Sequence, residues 1–135
     1  MKGRFTDEYG PRNSGFHYGQ DIANSKGTDI HAMKDGVVLL VMEAYKEVSR
    51  GKYIYIDHGN GYRALYQHND INLVQTGSIV QQGQVIAKIG DTGSRGSFHL
   101  HVELYENVPN DKFLTSMSPE SELRKYSKPP KKYLP

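Results

Sequence analysis

"FHLHVELYE", residues 98–106, alternates in a way that decides how the rest of the chain is read. Successive side chains of a strand point to opposite faces, so His99, His101, Glu103 and Tyr105 share one face and Leu100, Val102 and Leu104 the other. The apolar face reads as core, and the imidazole face is available for chemistry. At about 3.3 Å rise per residue, the Cα atoms of His99 and His101 lie about 6 to 7 Å apart. Both rings can therefore address one small object, such as a metal ion and a water.

Outward from that strand, turn signals recur along the chain: "YGPRNSG", "NSKGTD", "KDG", "SRGK", "DHGNG", "QTGS", "QQGQ" and "IGDTGSRG". Between them lie short segments rich in β-branched and aromatic residues, among them "GVVLLVMEAY", "KYIYIDH", "YRALYQH" and "VIAKIG". Short strands at such spacing, without a long stretch of 3.6 period, predict an all-β fold, an antiparallel β-sandwich or barrel. Helix is scarce. The best helix start is "SMSPESELRKY", with Ser118 as N-cap and Pro119 at the first helical position. It divides a β domain over residues 1–117 from a short helix and tail over residues 118–135.

The 135 residues, 36% hydrophobic and 24% charged, suit one domain with a modest core. No run approaches the roughly 18 apolar residues of a membrane span, and "MKGRFTDEYG" lacks the apolar stretch of a secretory signal. The expectation is a cytosolic chain, one released without that export route, or a piece of a longer protein. All 15 acidic residues precede position 124, whereas Arg124, Lys125, Lys128, Lys131 and Lys132 follow. The basic, proline-bearing end "RKYSKPPKKYLP" reads as an extended tail or linker able to touch an anionic surface. No nucleic-acid partner is expected. With no cysteine, thiolate metal sites and disulfides are excluded, and the six histidines become the candidate ligands.

"GFHYGQDIA" holds His17 and Asp21 four residues apart. In an unbroken strand they would share a face but sit about 13 Å apart, too far for ligand bonds of about 2 Å to one ion. A turn must intervene, and Gly19, free to take unusual backbone angles, permits one. Together with His101 the set is two imidazoles and a carboxylate, suited to Zn²⁺ with one position left open, as in catalytic zinc sites. "LYQHND" adds His68 after a strand. His17 and Asp21, His68, and the His99/His101 pair are far apart in sequence, so only the fold can unite them.

The pattern HxGxD, a tyrosine-x-histidine at a strand end, and HLH followed by Val-Glu resembles the lysostaphin/LytM family of zinc peptidoglycan endopeptidases. "GTDIHAMKDGVV", "YIDHGNGYRALYQH", "VQTGSIVQQGQVIAKIGDTG" and "HLHVEL" follow that family's running order from about residue 9 to 106. The resemblance implies one zinc ion on His17, Asp21 and His101, with His68 and His99 as catalytic residues beside the attacking water. It implies a sandwich with a substrate groove floored by the HxH sheet. The implied function is zinc-dependent hydrolysis of peptide bonds in the stem peptides or cross-bridges of bacterial peptidoglycan, with an extracellular site of action at the bacterial wall. A wall-cutting chain without an export signal would suit a phage tail tip, fused or bound to other tail or wall-hydrolase modules. The sequence departs from the family at "SRGSF" and "ENVPNDKFLTSM", which would belong to the groove wall.

Two rival readings come from the same motifs. One is a non-catalytic LytM-like binding or activator domain, a class that loses zinc ligands, which this chain keeps. The other is a phosphohistidine sugar-transport carrier of related fold, in which the HxGxD histidine takes phosphate and the HLH strand has no task. His31 and His58 read as structural or surface residues. "GDTGSRG" lacks the lysine and helix of a phosphate loop.

Overall fold

The short β-branched and aromatic segments form antiparallel strands, as their spacing predicts. The structure is a computed structural model and describes residues 3–13, 15–43, 50–94, 96–109 and 120–134. Its strands are β1 (Arg4–Asp7), β2 (Gly10–Arg12), β3 (Gly15–His17), β4 (Gln20–Ala23), β5 (Asp29–His31), β6 (Gly36–Met42), β7 (Lys52–Gly59), β8 (Tyr62–Asn72), β9 (Ile79–Val80), β10 (Val85–Ile89), β11 (His99–Tyr105) and β12 (Ser127–Lys128). A helix α1 (Glu120–Arg124) precedes β12, and a 3-10 turn (Lys131–Tyr133) follows it. Among the described residues, no helix is long and apolar enough to cross a membrane.

The main sheet runs β1-β4-β11-β8-β7-β6-β9, and β2 and β3 form a small separate hairpin. The 11-residue strand β8 joins the layers. Its first part lies between β7 and β11, and its end pairs with β10, which in turn pairs with β5. The expected sandwich is therefore built from one continuously hydrogen-bonded sheet that encloses its own core. Tight turns allow this, as where β7 and β8 join through Asn60 and Gly61 with φ of 53° and 81°. That Asn-Gly pair at positive φ matches the right-handed twist of the strands it connects.

Strand alternation sorts the side chains as expected. Leu100, Val102 and Leu104 of β11 join Ile54, Ile56, Tyr66, Ile30 and Ile86 in the principal core. The other face carries a second cluster of Tyr53, Tyr55, Leu65, Tyr105, Val108 and Leu123. Only part of the imidazole face of β11 is therefore open, because Glu103 and Tyr105 are fully buried.

What buries them is the C-terminal segment, whose basic end was expected to be an extended tail or linker and instead packs onto the sheet. Leu123 is fully buried against the second cluster. Strand β12 pairs antiparallel with β11 through Leu104↔Lys128 and Tyr105↔Ser127. Tyr133 and Leu134 then pack against the principal core. The basic residues are interspersed with apolar anchors whose burial outweighs the tendency of like charges to keep the segment in water. Ser118 and Pro119, the predicted helix start, and the division at residue 117 lie outside the described residues.

Candidate metal centre

Strand register brings the first two candidate ligands together. β11 lies beside β4 with His99↔Ala23 and His101↔Asp21 as Cα partners. Directly opposed residues place their Cβ atoms about 4.5 to 5.5 Å apart. Asp21 Oδ1 is 2.7 Å from His101 Nδ1 and 3.9 Å from His99 Nε2. His17 reaches the same point because a bend at Tyr18–Gly19 separates β3 from β4, the interruption that the spacing required. Its Nε2 lies 3.3 Å from His101 Nδ1 and 3.5 Å from Asp21 Oδ1. Among the described residues, His17, Asp21 and His101 form a group whose ligand atoms all lie within 4.8 Å of one another.

Gly19 serves this bend for a different reason from the one expected. Its backbone is outside the left-handed region. A Cβ there would sit 2.7 Å from Cε1 and Nε2 of His101 and from the Val102 carbonyl oxygen. The glycine is needed because the imidazole of a candidate ligand lies against its bare Cα.

His68 was expected at the end of a strand, and instead it lies within β8 at a bulge. Lys52 pairs with Asn69 and Tyr53 with Gln67, which leaves His68 as the extra residue, with φ of 70°. Plain alternation from Tyr66 would send the His68 side chain into the principal core. The bulge re-aims it. Its ring centroid comes to 4.9 Å from that of His99 and 6.0 Å from that of His101.

Each of the four histidines is held by one ring nitrogen, leaving the other for the centre. His17 Nδ1 donates to the Glu8 carbonyl at 3.0 Å, and His68 Nδ1 to the Thr92 carbonyl at 2.7 Å. A carbonyl only accepts, so in the neutral form of either ring Nε2 carries the lone pair. His101 donates from Nε2 to Glu103 Oε2 at 2.9 Å, which leaves Nδ1 toward Asp21. His99 Nδ1 meets both the hydroxyl, at 3.0 Å, and the carbonyl, at 3.1 Å, of Ser97. Two inward imidazole nitrogens, each fixed by an outer partner, and one carboxylate form a donor set that fits zinc.

The family model for Peptidase family M23 matches residues 15–112. The chain belongs to that family. The M23 domain is 42% identical over 91 residues to the peptidoglycan DD-endopeptidase ShyC of Vibrio cholerae, covering 67% of this chain and 20% of ShyC. It is 38% identical over 103 residues to the murein hydrolase activator NlpD of Escherichia coli, covering 76% of this chain and 26% of NlpD. It thus spans only about a fifth to a quarter of the length of these relatives. Among solved structures, the catalytic domain of lysostaphin from Staphylococcus simulans superimposes with a TM-score of 0.76 at 25% identity, covering 97% of this chain and 91% of that one.

Electrostatics in the M23 site follow from burial and partners. Burial opposes the charged form of His101, yet hydrogen bonds to Asp21 and Glu103 outweigh it and raise its pKa to about 9. A proton there occupies the lone pair that a cation would use, so proton and metal compete for one position. Burial is the largest influence on His68 and pulls its pKa down to about 4, leaving it neutral. Burial also opposes ionisation of Glu103, but its bonds with His101 and Arg124 hold it down to about 2.

Glu103, Thr92 and Arg124 escaped the reading of the sequence as site residues. Glu103 had a signal, since HxHxE alternation puts it on the histidine face. Thr92 acts through its main-chain oxygen, which no side-chain pattern announces. Arg124 looked like one charge among five. His31 and His58 were expected to be structural. His58 bridges the Asp35 carbonyl and the Tyr66 hydroxyl at 3.0 and 3.1 Å, whereas His31 lies on β5 with a buried Nδ1 that finds no hydrogen-bond partner among the described residues.

Proposed function

We propose that this M23 domain is a zinc-dependent endopeptidase that hydrolyses peptide bonds in the stem peptides or cross-bridges of bacterial peptidoglycan, acting at the wall. His17, Asp21 and His101 would hold one zinc ion. The observation that carries the reading is the convergence of the His17, His99 and His101 rings on Asp21 with the His68 ring beside them, each ring anchored from outside through its other nitrogen. A bound zinc ion supplies Lewis acidity and lowers the pKa of a water from about 15.7 toward about 7.

The protein side of the mechanism follows from tautomers. His68, whose Nδ1–H is committed to a carbonyl, presents an acceptor and takes the proton of the attacking water. His99 can keep its proton on either nitrogen, since Ser97 offers both a donor hydroxyl and an acceptor carbonyl. It is the ring able to donate toward the developing oxyanion. Phe16 and Phe98, each next in sequence to a site histidine, are exposed and give an extended peptide apolar surface beside the centre.

Similarity to NlpD favours a second reading, in which the domain activates another hydrolase without cutting bonds itself. Purified peptidoglycan separates the two. The endopeptidase reading expects new peptide termini from the domain alone, loss of that release on chelation, and recovery with zinc. No release by the domain alone, with enhanced release when a second murein hydrolase is added, would overturn it in favour of the activator.

A further inference from the structure

The buried carboxylate behind His101 has a second owner. Glu103, with its side chain fully buried, receives His101 Nε2 at 2.9 Å, Tyr105 Oη at 2.7 Å, and both Nε and Nη2 of Arg124 at 3.2 and 2.8 Å. Gln67 Nε2 stands 3.5 Å away. A buried carboxylate without a cation is strongly disfavoured, and a two-nitrogen guanidinium contact fixes its plane as well as its charge. The same guanidinium lies 4.7 Å from the ring centroid of Tyr18, the residue between His17 and the bend at Gly19. One side chain thus touches both the carboxylate that orients His101 and the bend that carries His17 and Asp21.

Arg124 is delivered from beyond the span matched by the family, which ends at residue 112. Leu123 anchors α1 in the second cluster, β12 adds to the edge of β11, and the Glu106 amide donates to the Tyr126 carbonyl at 2.8 Å. We propose that Arg124 is a positioning residue of the metal centre, by which the C-terminal segment locks Glu103, and through it the tautomer and plane of His101. This rests on the zinc reading above. Residues that orient a ligand histidine from behind commonly change metal affinity by about 10- to 100-fold when removed.

The test is zinc affinity of the full chain, read by competition with a chromophoric chelator, with the visible spectrum of the cobalt(II)-substituted protein as a report on ligand geometry. Arg124→Ala should lose about 10- to 100-fold in zinc affinity and shift the cobalt bands, and Arg124→Lys, which keeps the charge without the fork, should fall between. Leu123→Ala loosens the same segment without touching Glu103. It should lower the melting temperature while costing clearly less zinc affinity, and shifting the cobalt bands less, than Arg124→Ala, because the guanidinium is kept. Parental affinity in Arg124→Ala, or in Arg124→Lys should the alanine variant not fold, would overturn the proposal. So would equal losses in the Leu123 and Arg124 variants, which would reduce the role to fold stability. If the parent itself bound no zinc, the zinc reading would fail first and this inference with it.

Discussion

Asp21 and Glu103 bracket the imidazole of His101 from its two nitrogens, and this pairing separates the histidines of the HxH strand by task. Register sets Asp21 opposite His101, not His99. Replacing His101 with Ala should remove most bound zinc together with all hydrolysis, measured by metal analysis and peptide release. Replacing His68 or His99 with Ala should lower the rate by about 10²- to 10⁴-fold with zinc retained. The pH profile follows from the same residues. Because burial holds His68 near 4, it stays an acceptor through weakly acid conditions and does not set the acid limb of activity. With zinc on the proposed ligands His17, Asp21 and His101, protons would compete for the same atoms, so bound zinc and rate should fall together as pH drops. A rate that falls while zinc stays bound would return the limb to His68 or His99. At this scale the ligand types were legible from HxGxD and HLH. The outer partners were less so, because a carbonyl such as that of Thr92 has no letter in a sequence.

Elements make the centre through two irregularities, the bend between β3 and β4 and the bulge in β8. Both replace a regular strand where regularity would scatter the candidate site residues. The bulge depends on Gly51, which carries φ of 67° and whose Cβ, were it present, would lie 2.1 Å from the Thr92 carbonyl oxygen that holds His68. Gly51→Ala should cost about 1 to 3 kcal/mol for the backbone conformation alone and more for the overlap, and should impair hydrolysis as Thr92 and His68 shift. Gly83→Ala carries a similar φ of 84° with nothing within 4 Å of its Cβ. It should show the backbone cost in urea unfolding with normal activity. If both behaved alike, the contact with Thr92 would not matter. The strands themselves were readable from alternation and glycine turns. The bulge was not, since one residue's displacement within "LYQHND" is decided by pairing with β7.

Across the whole molecule, the buried charges make stability depend on both pH and metal. In the metal-free protein, His101 has a folded pKa of about 9, above its ordinary 6.5, so its contribution is full below 6.5 and is lost as pH rises toward 9. His68, depressed to about 4, acts oppositely and lowers stability as pH falls from 6.5 toward 4. Metal-free protein should therefore melt highest near pH 6.5 and lose melting temperature up to pH 9, whereas zinc-loaded protein, with the cation in place of that proton, should lose less over the same alkaline range. Parallel curves with and without zinc would contradict this. The C-terminal segment belongs to this scale as well, for it closes the second cluster and supplies Arg124. The chain's own letters determined the all-β class and the two faces of the HxH strand, and offered the histidines and carboxylate as candidates, because alternation and side-chain chemistry are local properties. Only tertiary structure decided that His101 faces Asp21, that His68 turns out of the core, and that the basic end packs down. Those outcomes depend on register, on one bulged residue and on a buried carboxylate meeting a cation 21 positions away, and none of these has a local signature.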